Sequence, residues 1–145
     1  MPTVARRVEL AVAAIILAIV ATRVTPDASK AEQEQADGVL KARLASVQSR
    51  IDRHRHARSG RDPDFASKGW GTLTDPSSLI GGGYLVAAPV NPAFPGFDKT
   101  SIVEVHDPAV RGWPSAAWVW NVPNAALYAS GFDETTGRST GRPAD

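Results

Sequence analysis

The chain of 145 residues contains no cysteine. That excludes disulfides, thiolate metal sites, a cysteine nucleophile and a lipid-modified N-terminal cysteine, so packing and hydrogen bonds must hold the fold. A surplus of charge is also missing: 16 Lys and Arg stand against 15 Asp and Glu, a formal net charge of +1. So balanced a chain offers no field for a polyanion, and nucleic acid is not expected as a partner. Catalytic signatures are absent too. No G-x-S-x-G elbow surrounds any serine, and Gly81-Gly82-Gly83 lacks the Lys-Ser/Thr that would make it a phosphate loop. Asp62 with Asp64, and Asp133 with Glu134, read as exposed turn acids in preference to a catalytic pair. His54 and His56 stand two apart and point away from each other on a helix, so no zinc site follows.

A sustained aliphatic run occurs once, over residues 10–22, with Glu9 at its leading edge, Arg6 and Arg7 before it and Pro26 beyond. Its length of about 13 residues is nearer a signal-peptide core than a membrane helix. Counted from Val8 to Val24 it reaches roughly 25 Å as a helix, enough for a thin or adapted bilayer. Arg6 and Arg7 precede it, whereas Asp27, Glu32, Glu34 and Asp37 follow, the asymmetry that keeps an N-terminus cytoplasmic. This reading expects a single-pass protein of the inner membrane with its head outside. A secretory signal peptide is the alternative, with Ala18 and Ala21 flanking a cleavage site.

Beyond the run, Thr25-Pro26-Asp27 reads as a helix start or as a proline bend, and Ser29 with Glu32 offers a competing capping box. Helix is expected to about Ala57. Lys30 to Glu34 and Asp37 to Lys41 have one-turn spacing, and Ala36, Leu40, Leu44, Val47 and Ile51 form one narrow apolar stripe. Leu40, Leu44, Val47 and Ile51 are the residues expected to seat a head on this helix. Arg50, Arg53, Arg55, Arg58 and Arg61 make the helix end basic, which suits the C-terminal dipole and a solvated face better than an acidic partner. Ser59-Gly60 ends it.

From residue 61 the texture turns to glycine, proline and aromatic residues. Strands are expected over 101–105, 117–121 and 126–129, the last two forming a hairpin across Val122-Pro123-Asn124. Residues 70–96 read as a long ordered loop, flexible at Gly81-Gly82-Gly83 and stiff at Val90-Asn91-Pro92 and Phe94-Pro95-Gly96. Trp113, Trp118, Trp120 and Tyr128 read as core, with a ligand-stacking platform as the alternative. From Thr135 the tail is polar and expected to fray.

Several segments together resemble the type IV pilin-like family, within it the small-headed pseudopilins of type II secretion systems. Glu9 and Pro26 stand seventeen positions apart, as in that family. Residues 47–63 resemble its amphipathic helix end with a Gly-x-x-Pro exit at Gly60 and Pro63. Trp70-Gly71-Thr72-Leu73-Thr74, Gly83-Tyr84-Leu85, Pro89-Val90-Asn91-Pro92, Gly112-Trp113 and Trp118-Val119-Trp120-Asn121 are similar to its head segments. The resemblance implies an α+β, pilin-like fold: a long N-terminal helix, partly membrane-inserted and partly amphipathic, packed on a small antiparallel β head. The divisions are residues 1–26 for leader and membrane helix, 27–60 for the stem and 61–145 for the head.

It further implies a membrane-anchored assembly subunit with no enzymatic role and no cofactor. Its partners would be other pilin-like subunits, an inner-membrane secretion or pilus platform, and a prepilin peptidase. Glu9 and Pro26 would serve assembly, and Val4-Ala5 would mark the processing site, with Val4 where the family has glycine. The other reading open at this level is a signal-peptide-bearing secreted, or singly anchored, small binding module.

Overall fold

The computed structural model describes residues 26–140. A long helix α1 (Pro26–Ala57) and a short helix α2 (Phe65–Lys68) are followed by β1 (Ile102–Val105), β2 (Trp118–Asn121), β3 (Ala126–Ala129), β4 (Phe132–Asp133) and β5 (Arg138–Ser139). The contacts divide the chain into two units, residues 1–36 and 37–145. In the first, residues 29–36 of α1 are exposed.

Among the described residues no helix is long and apolar enough to cross a membrane. α1 has the length, but Lys, Arg, Glu and Asp recur from one end to the other. This corrects the expectation of a pilin-like helix with a membrane-inserted part, and with it the single-pass inner-membrane, membrane-anchored subunit. What stands is a small α+β domain with one long helix packed on a three-stranded sheet. Residues 10–22, with Glu9, Val4 and Ala5, lie outside the described residues.

The second unit is built on the stripe of α1. Leu40, Leu44, Val47 and Ile51 all lie in the main core cluster. The stripe continues at Asp37 and His54, both buried, while Ala36, expected on it, is exposed. Positions 36 and 37 are four and three residues from Leu40, and both spacings fit one helix face. Asp37 takes the buried place because its Oδ1 accepts the Ser139 N–H at 3.2 Å and hydroxyl at 2.5 Å.

The sheet order is β1-β2-β3, with β2 fully buried at the centre. β2 and β3 form the expected antiparallel hairpin, Trp118 opposite Ala129 and Trp120 opposite Leu127. β1 runs parallel to β2, not antiparallel. Residues 106–117, about a dozen, supply the crossover that parallel pairing requires. Asn121 holds that connection down: buried, it donates to the carbonyls of Asp107 and Val110, both at 2.9 Å.

Trp118 and Trp120 point into the α1 side of the sheet together with Phe65 and Trp70. Phe65 meets Trp70 edge-on at 5.5 Å and Trp70 meets Trp118 edge-on at 6.1 Å. Each buried indole N–H finds an acceptor in a loop: Trp70 at Thr100 O, Trp118 at Pro89 O and Trp120 at Asp62 Oδ2. Buried indoles need such partners, so the tryptophans also fix the loops.

The basic end of α1 performs a related task. Arg50 donates to Tyr84 O at 2.8 Å, Arg58 to Pro76 O at 3.3 Å, and Arg43, two turns before Arg50, to Val90 O at 2.6 Å. Arg55 bonds Asp62 at 2.7 Å and lies 5.9 Å from the Trp120 ring centroid. His54 Nε2 stands 2.9 Å from Ser77 O, and because a carbonyl only accepts, Nε2 is the protonated nitrogen. Arg43, Arg50, His54 and Arg58 thus stitch the loop of residues 76–90 to the helix, while Arg53, His56 and Arg61 are exposed.

Candidate functional site

Beside β3, away from β2, two clefts open on the second unit. The larger, about 420 Å³, has Leu44 and Leu127 in its floor, Lys41 and Gln48 on its helix side and Tyr128 and Glu134 opposite. The smaller, about 270 Å³, is lined by Arg111, Tyr128, Phe132, Asp133, Glu134 and Thr140. Tyr128 and Glu134 belong to both.

The local sequence explains the arrangement. Alternation along β3 sends Leu127 into the main core and Tyr128 to the other face, against Val105 and Val119. β3 is an edge strand, and Gln48 closes that edge. Its Oε1 accepts the Leu127 N–H at 2.7 Å and its Nε2 donates to Ala125 O at 3.2 Å and to Asp52 at 2.9 Å. A side-chain amide thus occupies the place of a neighbouring strand's peptide group, and a partner strand cannot add here without evicting it.

The β4–β5 hairpin sets the acidic rim. Asp133 accepts the Thr135 N–H at 2.8 Å, and Gly137, at φ 67°, closes the turn. The Thr135 amide holds the Asp133 carboxyl below its usual value. Glu134 goes the other way: burial pushes its carboxyl up, against the pull of Arg111, and the charge of Asp133 pushes in the same direction as burial. Arg111 comes from the crossover and lies 5.6 Å from the Tyr128 ring centroid. An apolar floor, a phenol ring and charges of both signs on the rim suit a small organic group that is partly apolar and partly charged.

The sequence candidates are distributed as follows. Leu40, Val47 and Ile51 are core; Leu44 is core and cleft floor. Pro26 opens α1. Trp118 and Trp120 are fully buried and unavailable for stacking, whereas Trp113 is partly exposed and Tyr128 reaches the cleft. Glu134, read from sequence as a turn acid, lies at the junction of the clefts, and Arg111 carried no signal in the sequence. No family model, curated protein or solved structure matches this chain.

The titrating groups away from the cleft act on stability. Lys68 at 2.7 Å and the Ser77 hydroxyl and amide bring the Asp75 carboxyl down to about 2. A carboxyl with a folded value below its unfolded one stabilises above the unfolded value and loses that contribution as pH falls through the folded one. Asp75→Asn is therefore expected to be less stable than the parent at pH 7, with the gap closing as pH falls toward 2. Urea denaturation at both pH values checks this; a gap independent of pH contradicts it.

Proposed function

We propose that this chain is a small secreted binding module that holds its ligand where the two clefts meet at Tyr128 and Glu134. The observation that carries the reading is their continuity: an apolar floor and a charged rim share one aromatic ring and one carboxylate. Residues 10–22 act in this reading as a secretion signal.

Two measurements test it on the full chain. Product recovered from culture fluid is expected to begin after Ala21; a chain retained in membranes and beginning at Met1 or Ala5 overturns the secreted part. Titrating the ¹⁵N-labelled protein with N-acetyl amino-acid amides of aromatic, aliphatic, basic and acidic type is expected to give saturable shifts at Leu127, Tyr128 and Glu134 for at least one of them. Saturable shifts for none, or at another face only, overturn the binding site.

A further inference from the structure

The two edges of the three-stranded sheet are finished differently. At β3 the Gln48 amide fills the place of a neighbouring strand. At β1 nothing among the described residues does so. Ser101 O accepts the Trp118 N–H at 2.8 Å and Val105 O accepts the Val122 N–H at 3.0 Å, so the odd positions here turn their main-chain groups toward β2. Alternation then turns the N–H and C=O of Ile102 and Glu104 outward. Among the described residues these groups have no partner, and both residues are only half-buried. α2 reaches β1 from the α1 face, where Phe65 lies 5.5 Å from the Trp120 ring, and makes no hydrogen bond to it. An open edge of this kind is a template for another strand.

The ends of the template limit what fits it. Thr100 is already engaged, its N–H by Asp98 at 3.0 Å and its O by the Trp70 indole at 2.7 Å. Beyond His106 the chain turns, the Val110 N–H reaching back to Asp107 O at 3.1 Å. The free stretch is therefore short and centred on Val103, and it is complementary to itself. Laid antiparallel to a second copy about a two-fold axis at Val103, Ile102 of each copy exchanges both main-chain bonds with Glu104 of the other. Val103 then faces Val103 of the second copy with Cα atoms about 4.5 Å apart. Because Val103 packs against the cluster of Val105, Val119 and Tyr128, the two clusters join across the contact. Other two-fold registers fit less well. An axis at Glu104 sets carboxylate directly against carboxylate, one at Val105 sets Ile102 against Pro108 in the following turn, and one at Ile102 sets Glu104 against the engaged Thr100. A formal net charge of +1 leaves two copies with little mutual repulsion.

We propose that two copies of this chain pair edge to edge through β1, antiparallel about Val103, so that one sheet runs through both. This goes beyond the binding-module reading. The clefts lie beside β3, the opposite edge of the sheet, and either idea can fail without the other. The contact is short, and the two Glu104 side chains become diagonal neighbours across it, each 3.3 Å from its own His106. A weak dimer follows, with a Kd on the order of 100 µM.

Sedimentation equilibrium of the full chain from about 10 µM to 1 mM is expected to show monomer passing to dimer. Glu104→Pro removes an outward N–H and leaves the bonds to β2 in place, so it is expected to weaken the dimer at least about tenfold relative to Glu104→Ala, which keeps that N–H. Since the chain has no cysteine, a single one reports the register. Val103→Cys is expected to be trapped as a disulfide-linked dimer by oxidised glutathione in preference to His106→Cys, whose thiol is more exposed but lies far from its own copy in this register. If Glu104→Pro does not reach the thermal midpoint of Glu104→Ala, the two cysteine variants decide alone. A chain that stays monomeric up to about 1 mM overturns the pairing and leaves the edge to an extended segment of another protein. A dimer as tight in a folded Glu104→Pro as in Glu104→Ala overturns it too, because the contact then lies elsewhere. Crosslinking of His106→Cys as readily as Val103→Cys overturns the pairing about Val103.

Discussion

Gly81→Ala is expected to destabilise the protein by about 3 kcal/mol, near the upper end of the usual cost of overpacking, and to lower its thermal midpoint by on the order of 10 °C. A Cβ built on Gly81 falls 1.8 Å from Asp75 O, 2.4 Å from Asp75 C and 2.5 Å from Thr72 O. All three are main-chain atoms, so no side-chain rotation relieves the overlap. Nor is the opposing turn free to retreat. The Asp75 carboxylate is tied to Lys68 Nζ at 2.7 Å and to Ser77 N at 2.9 Å. Ser78, buried, accepts the Gly81 N–H at 2.9 Å and donates to Asp75 O at 2.8 Å. Opening the turn breaks this set and loosens Leu79, a fully buried member of the main core. Gly38→Ala is the control. It lies on the exposed side of α1 with nothing described within 4 Å of its added Cβ, and is expected to stabilise by up to about 1 kcal/mol. Urea denaturation followed by tryptophan fluorescence measures both, and a Gly81→Ala protein within about 0.5 kcal/mol of the parent would contradict the turn geometry.

The same turn shows where a linear reading reaches its limit. Gly81-Gly82-Gly83 reads as flexible because glycine permits many conformations, yet only Gly83 has open space, and it sits at φ 81°. Whether a glycine is a hinge or a close approach depends on what lies opposite, and Asp75 lies opposite through a turn that the glycines do not encode. The long helix was legible because Leu40, Leu44, Val47 and Ile51 repeat at its own period. The three strands were legible from their β-branched and aromatic content. The parallel pairing of β1 was not, since it depends on how residues 106–117 fold back. Ala36 in place of Asp37 is a similar miss: the stripe allows both, and Ser139, 102 residues on, decides. Arg50 and Arg58 read as part of a solvated face because their acceptors are loop carbonyls 34 and 18 residues away. The clefts gather side chains from α1, the crossover, β3 and the β4–β5 hairpin, and no local signal marks such a meeting. The aliphatic run of residues 10–22 dominated the reading because hydropathy is the strongest local signal in the chain, and it led to a membrane stem of which the described helix shows no part.

Asn91→Ala is expected to cost about 3 to 4 kcal/mol, a large part of the 5–15 kcal/mol by which such domains are stable. Asn91 is fully buried, and its Nδ2 donates to Ala117 O at 2.7 Å and to Ser130 O at 2.9 Å, while its Oδ1 accepts the Ala93 N–H at 3.0 Å. Ala117 and Ser130 flank the open end of the β2–β3 hairpin, where the Ser130 N–H also reaches Ala117 O at 2.9 Å. The carboxamide extends the ladder past the strands and fastens to it the loop whose Pro89 carbonyl receives the Trp118 indole. Alanine removes the three bonds, deprives the Ser130 carbonyl of this donor and leaves a cavity. Asn91→Asp keeps the shape but turns the donor into an acceptor facing two carbonyl oxygens, so it is expected to be worse than alanine at pH 7. Its carboxyl would be raised in the folded state, so the folded chain binds a proton that the unfolded chain does not, and stability is expected to rise as pH falls. Asn124→Ala, which frees an exposed side chain bonded to Pro108 O at 2.9 Å, is expected to cost under about 1 kcal/mol. Denaturation of the three variants at pH 7 and pH 5 separates the contributions. An Asn91→Asp protein equal to Asn91→Ala at both pH values would show that the carboxamide is not the donor that joins the loop to the hairpin.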